Sequence, residues 1–176
     1  MEFVHVPVML GECMEALALK KDGVYFDGTL GGAGHSEEIL KRTSPSGRLI
    51  ATDLDGEAIA NAEKRLAPYA GRYRLFHTNY KNFSFVKEEA GVDGFDGALL
   101  DLGVSSYQLD NRERGFSYMA EDARLDMRMN GEQKKSAWDV VNQYEPKKIA
   151  YILSTYGEEK FADKIARAIA EERKLH

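Results

Sequence analysis

The 176-residue sequence contains a single cysteine, Cys13, which excludes a disulfide framework and a thiolate metal cluster. It has no apolar run near the roughly 20 residues that a membrane-spanning helix requires. The first ten residues, MEFVHVPVML, show neither the basic segment nor the small-residue cleavage site of a secretory signal. The expectation is a cytoplasmic protein with no membrane partner. A basic excess is also missing, because the net charge is −5. Residues 1–109 carry 11 Lys/Arg against 16 Asp/Glu, and residues 110–176 carry 13 of each, so any nucleic-acid contact must rest on a local patch. His5, His35, His77 and His176 lack metal-ligand spacing, so no metal is expected and local hydrogen bonding is the reading for each. What is present is a 43% hydrophobic content, enough for the core of one domain or of one domain with a small appendage.

From residue 24 to residue 102 short apolar runs alternate with amphipathic stretches. Strands are expected at 24–26, ending at Asp27, at 49–51, closed by Asp53, at 73–76, and at 97–100, ending at Asp101. Helices are expected at 35–42, 57–69 and 83–90, the first capped by Ser36 or a neighbour. Such alternation implies an α/β fold with a parallel sheet. A helix at 8–19 precedes this unit. A charged, Met-rich, irregular stretch at 110–130 follows it, and then helices at 136–144, 146–156 and 158–175, with Pro146 in a first turn and Gly157 as a stop. The division expected is a half domain over 1–109 and a helical region over 110–176.

The chemistry concentrates at three strand ends. Asp27-Gly28-Thr29-Leu30-Gly31-Gly32-Ala33-Gly34-His35 joins the first strand to its helix, and its glycines let a ligand approach backbone amides. Asp27 suits a cationic group such as the ammonium of a methionine moiety. Asp53 lies 19 residues after Gly34, where an acid accepts hydrogen bonds from ribose hydroxyls. Asp101-Leu102-Gly103-Val104-Ser105-Ser106 ends the fourth strand beside the same crevice. Each piece alone is as well read as a turn or a loop carboxylate; together, at consecutive strand ends, they point to a ligand site. A dinucleotide fits poorly, since the third glycine of G-x-G-x-x-G is replaced by Glu37, and Glu37 with Glu38 loads the helix N-terminus where a pyrophosphate binds. S-adenosylmethionine carries no phosphate and is the preferred ligand. Trp138, Met127 and Met129 read as packing residues, and Lys134-Lys135 and Lys147-Lys148 as solvated surface. Arg112, Arg114, Arg124 and Arg128 follow the crevice segment and suggest phosphate contact, with solvated surface as the alternative.

These strings, with His5-Val6-Pro7-Val8, Gln108-Leu109-Asp110, Arg114-Gly115-Phe116-Ser117, Leu125-Asp126-Met127-Arg128-Met129 and Tyr156-Gly157-Glu158-Glu159, resemble the MraW family. That family methylates the exocyclic amine of a cytidine in small-subunit ribosomal RNA. The resemblance implies a class I S-adenosylmethionine-dependent methyltransferase core, Rossmann-like, with a helical domain inserted after the fourth strand. It assigns cofactor binding to Ala33, Gly34 and His35 in the loop, Asp53 at the ribose, Tyr80 by the adenine, and Asp101 and Gln108 in the crevice. It implies small-subunit ribosomal RNA as partner, with Arg112, Arg114 and Arg128 as RNA-binding residues. Tyr107 and Arg124 depart from the proline that many members carry.

Cytosine's exocyclic amine is a poor nucleophile, so acceptors must hold it out of the ring plane and in line with the donor methyl. Asp101 is the candidate for that catalytic role; contact with the donor alone is the other reading. The fourth strand is expected as an exposed apolar edge. The helical pattern runs to His176, so the expectation is a truncated product or an incomplete record. The alternative function is a non-catalytic fragment that binds S-adenosylmethionine or RNA without turnover.

Overall fold

The computed structural model describes residues 7–119 and 122–175, so His5, Val6 and His176 lie outside the described residues. The described chain divides into two compact units, 1–107 with 129–131, and 108–128 with 132–176.

The first unit is built on four parallel strands, β1 (Val24–Asp27), β2 (Arg48–Asp53), β3 (Tyr73–His77) and β4 (Gly97–Leu99), in the order β3-β2-β1-β4. The chain builds outward from β1 through β2 to β3 and then crosses back to β4 on the other side. The order therefore reverses at β1, which is where doubly wound sheets bind ligands. Strand residues alternate between two apolar faces. Tyr25, Leu49, Ala51 and Leu75 pack with α1 (Leu10–Leu17), α2 (Gly34–Arg42) and α3 (Gly56–Leu66) through Met14, Ile39, Leu40, Ala62 and Leu66. Phe26, Ile50 and Phe76 pack on the opposite side with Val86 and Ala90 of α4 (Phe83–Ala90), and Phe95 stacks on Phe26 at 5.0 Å. With both faces covered, this is the α/β, Rossmann-like front half expected from the strand spacing.

Several element ends differ from expectation. The first helix is shorter, because Met9 and Ala18 both adopt left-handed backbone. Ser36 is not the cap of α2; Ala33 takes that position at φ 58° with no side-chain bond, and the Ser36 hydroxyl donates to Asp27 instead. Pro68, which has no N–H to donate, ends α3 in a short 3-10 turn at Ala67–Tyr69. β4 stops at Leu99, because β1, its partner, ends at Asp27.

In the second unit, α5 (Ser106–Asp110, begun in the first unit) and a 3-10 turn at Arg112–Arg114 lead into an irregular stretch. That stretch seats on α6 (Ala137–Gln143): the amides of Ala137 and Trp138 donate to the carbonyls of Asp126 and Leu125 at 2.7 and 2.6 Å. Ser136 and Asp139 form a capping box there. α7 (Pro146–Gly157) and α8 (Ala162–Glu172) pair through Ile149 and Ala150 against Ala162 and Ala166, whose small side chains allow close approach. Gly157 does not stop α7; the stop is Glu158, at φ 51°. Arg173 donates to the carbonyls of Val141 and Tyr144 at 2.9 and 2.8 Å, closing the C-terminal end of α6. No helix among the described residues is long and apolar enough to cross a membrane.

Candidate functional site

The loop after β1 is held from three sides. Asp27 is 1% exposed, and its two carboxylate oxygens accept from the Thr29 amide at 3.1 Å and the Ser36 hydroxyl at 2.6 Å. Asp53, at the end of β2, accepts from the Gly31 amide at 2.8 Å and the Asp55 amide at 2.9 Å. The Asp101 amide, just past β4, donates to the Thr29 hydroxyl at 2.7 Å. One loop thus gathers the C-terminal ends of β1, β2 and β4.

Within it, Ala33 is fully buried in left-handed backbone, and Gly34 has no room for a Cβ because Pro7 lies against it. His35 is buried, its Nε2 at 3.0 Å from the Val8 carbonyl, so the ring has a local partner. A Cβ on Gly28 would meet Leu100 and, at 2.9 Å, the Cβ of Tyr80, which puts the half-exposed Tyr80 ring beside the loop. The structure therefore brings together Asp27, Ala33, Gly34, His35, Asp53, Tyr80 and Asp101. Gln108 is buried on α5 and groups with the second unit.

Burial is the leading influence on both loop carboxylates. It raises the Asp27 carboxyl above the ordinary carboxylate range, opposed by Ser36, Thr29 and His35, with Asp53 adding to the rise. It raises Asp53 as well, opposed by the Asp55 and Gly31 amides. A raised folded value means the folded state holds the proton more tightly than the unfolded chain does. That contribution to stability is complete below the ordinary aspartate value of about 3.9 and is lost as pH climbs through the folded value. Asp27→Asn carries no such proton. The stability of the native chain relative to this variant is expected to fall between about pH 4 and neutrality. Urea melts at several pH values read this, and a difference independent of pH contradicts it.

Glu37 and Glu38 do not load α2 with free negative charge. Glu37 pairs with Lys41 at 2.9 Å and Arg65 at 2.8 Å, and Glu38 pairs with Arg42 at 2.7 Å. Charge is therefore a weaker argument against a pyrophosphate than the sequence suggests, while the missing third glycine still stands.

Three supports of the loop are invisible to motif spacing. Thr29 bridges the loop to Asp101, the buried Thr52 hydroxyl donates to the Gly28 carbonyl at 3.1 Å, and Arg65 reaches the Gly32 carbonyl at 2.8 Å. The hydroxyl of Thr52 inside an otherwise apolar strand end was the available signal; Arg65 gave none.

In the second unit, Arg128 is committed internally. It forks onto Asp126 at 2.8 and 2.7 Å and donates to the Gln133 carbonyl. Arg114 donates to the Arg128 carbonyl at 2.9 Å. Arg112 is exposed, 3.6 Å from Asp122, on an open recess shared with Arg124, whose guanidinium lies 5.1 Å over the half-exposed Trp138 ring. Met127 is exposed as well, in left-handed backbone, so neither residue is plain core packing.

A parallel sheet whose order reverses beside a glycine loop, with a carboxylate on the neighbouring strand end, defines a Rossmann-like protein with a nucleoside-type ligand crevice. The chain belongs to the MraW methylase family, whose family model matches residues 2–176. It is 53% identical over 173 residues to ribosomal RNA small subunit methyltransferase H of Clostridium botulinum (strain Kyoto / Type A2), covering 98% of this chain and 55% of that protein. It is 51% identical to the protein of the same name from Clostridioides difficile (strain 630), with the same coverage. The chain spans about half the length of the curated relatives it matches. Among solved structures it is similar to an rRNA methylase from Streptococcus thermophilus, at 19% identity and a TM-score of 0.37, over 47% of this chain and 49% of that one.

Proposed function

We propose that this chain carries the methyl-donor site of an S-adenosylmethionine-dependent ribosomal RNA methyltransferase, acting in the cytoplasm on the N4 amine of a cytidine in small-subunit ribosomal RNA. The observation that carries this reading is the convergence of Asp53, Thr29 and Asp101 on one glycine loop, in a chain of the MraW methylase family. The residues suit the donor. The approach to Gly28 is bare of side chain, Tyr80 offers an apolar face beside it, and Asp53 retains acceptor capacity beyond its two amide bonds. When bound, S-adenosylmethionine supplies an electrophilic methyl group on a sulfonium.

Asp53 accepts from the ribose hydroxyls. Ala33, Gly34 and His35 offer backbone to the methionine portion, and Tyr80 lies along the adenine. Asp27 acts through the loop it holds, since both its oxygens face the loop and α2. Asp101, exposed past β4, accepts from the target amine, keeping its lone pair directed at the methyl carbon and taking up the proton released as the N–C bond forms. Gln108 completes the donor site, and Arg112, with Arg114 and Arg128 bracing its loop, meets RNA phosphates. No metal takes part.

Asp53→Ala removes the ribose acceptor and frees the Gly31 amide. Donor affinity is expected to drop by about 1–3 kcal/mol, roughly 5- to 150-fold. Calorimetric titration of S-adenosylmethionine into both chains measures this, and equal affinities would place the ribose elsewhere.

A further inference from the structure

We propose that the outer face of α7, with the cations gathered on Tyr144, is a binding track for single-stranded RNA, with phosphates on Lys135, Lys147 and Lys148 and bases on Tyr151 and Tyr156. This rests on the RNA-substrate reading above and names a surface outside the donor crevice.

Tyr144 follows α6 and packs one side of its ring on the α7–α8 core. Two ammonium groups share what remains of that ring. Lys148 Nζ lies 4.1 Å from the ring centroid, and Lys135 Nζ lies 5.2 Å from it and 3.4 Å from the hydroxyl. Among the described residues, Lys135, Lys147 and Lys148 have no carboxylate within ion-pairing distance, unlike Lys20, Lys41 and Lys174. The nearby acids do not cancel them. Asp139 is engaged by Ser136 and Gln143, and Glu145 is exposed without an ion pair to these lysines. Ring contact holds like charges together at a modest gain each, and the arrangement lacks only an anion to bridge them.

The same helix face continues into aromatic surface. Lys147 and Lys148 precede Tyr151 by four and three residues, so all three share one side of α7. Tyr151 is 58% exposed and Tyr156 76% exposed, and their rings meet edge to face at 6.3 Å. Large aromatic rings left open to water beside unpaired cations are what single-stranded nucleic acid uses: phosphates on the cations, bases stacked on the rings. An acidic protein segment would use the lysines but has no planar groups for the tyrosines.

The test is fluorescence anisotropy of the full chain with a labelled oligocytidylate RNA of about 12 nucleotides, titrated at several salt concentrations. The double variant Lys135→Gln/Lys148→Gln is expected to bind several-fold more weakly and to lower the slope of log affinity against log salt by about 1.4, or 0.7 for each phosphate no longer neutralised. Tyr151→Ala is expected to weaken binding at least about fivefold, whereas Tyr151→Phe retains it. These side chains are exposed, so melting temperature and S-adenosylmethionine affinity should match the unaltered chain. Unchanged affinity and slope in the variants overturns the track while leaving the RNA-substrate reading standing. Absence of saturable RNA binding by the unaltered chain also overturns it. Displacement of the RNA by polyglutamate as readily as by unlabelled RNA would assign the face to an acidic protein partner.

Discussion

Exchange of Asp101 for alanine is expected to lower methyl transfer to small ribosomal subunits about a hundredfold or more, with donor affinity changed far less. The assay joins these residues to the remainder of the 53% identical relative, and follows labelled methyl groups from S-adenosylmethionine onto subunits lacking the modification. The magnitude follows from the role. A cytosine amine whose lone pair is spread into the ring reacts only when an acceptor holds it pyramidal and aligned, and loss of one such preorganised interaction costs about 100- to 1000-fold in rate. The backbone of Asp101 is tied to Thr29 and does not depend on its own carboxylate, so the loop should survive the substitution. Asp101→Asn keeps an acceptor but not the proton site, and should fall between the two. If Asp101→Ala weakens donor binding and leaves turnover at saturation intact, Asp101 contacts only the donor.

Gly115→Ala is expected to dislodge the segment 112–128. Gly115 sits at φ 68°, where a β-carbon is strained, and its Cβ would meet the Arg124 carbonyl and, at 2.6 Å, the Asp126 amide. Both obstacles are backbone and cannot rotate away. Strain and overlap each cost about 1–3 kcal/mol, so a loss of about 3 kcal/mol or more is expected. The Met127 amide bond to the Arg114 carbonyl and the seating of Leu125 and Asp126 on α6 go with it. Limited proteolysis should cut this segment roughly a hundredfold faster, because cleavage tracks the open population. Unaltered cleavage would mean that the segment accommodates the methyl group by shifting as a whole.

The strands were legible because a sheet covered on both faces demands short continuous apolar runs, as in Leu49-Ile50-Ala51. The ligand crevice was legible for the same reason, since each run ends at a polar residue: Asp27, Asp53 or Asp101. Caps were less legible. Ala33 and Glu158 adopt left-handed backbone that their side chains do not favour, imposed by the packing of Gly34 against Pro7 in one case and by the α7–α8 hairpin in the other. Spacing points to Ser36 as a cap and Gly157 as a stop because local preference is its only guide. Cross-chain partners leave no local trace. Arg65 joins Gly32 across 33 residues, and Thr29 joins Asp101 across 72. The pairing of Glu37 with Arg65 is equally hidden, and it changes the electrostatics of the α2 N-terminus.

The methyl donor occupies, on this reading, the crevice where β1, β2 and β4 end. Amide chemical-shift mapping of the labelled chain during titration with S-adenosylmethionine tests that placement directly. The expected result is a saturable set of shifts confined to the first unit's loop at 28–35, to Asp53 and Asp55, to Tyr80, and to the residues following β4, with no comparable set on adding a nicotinamide dinucleotide. Saturable shifts on the opposite, N-terminal ends of these strands, or the same loop responding to the dinucleotide instead, would contradict it.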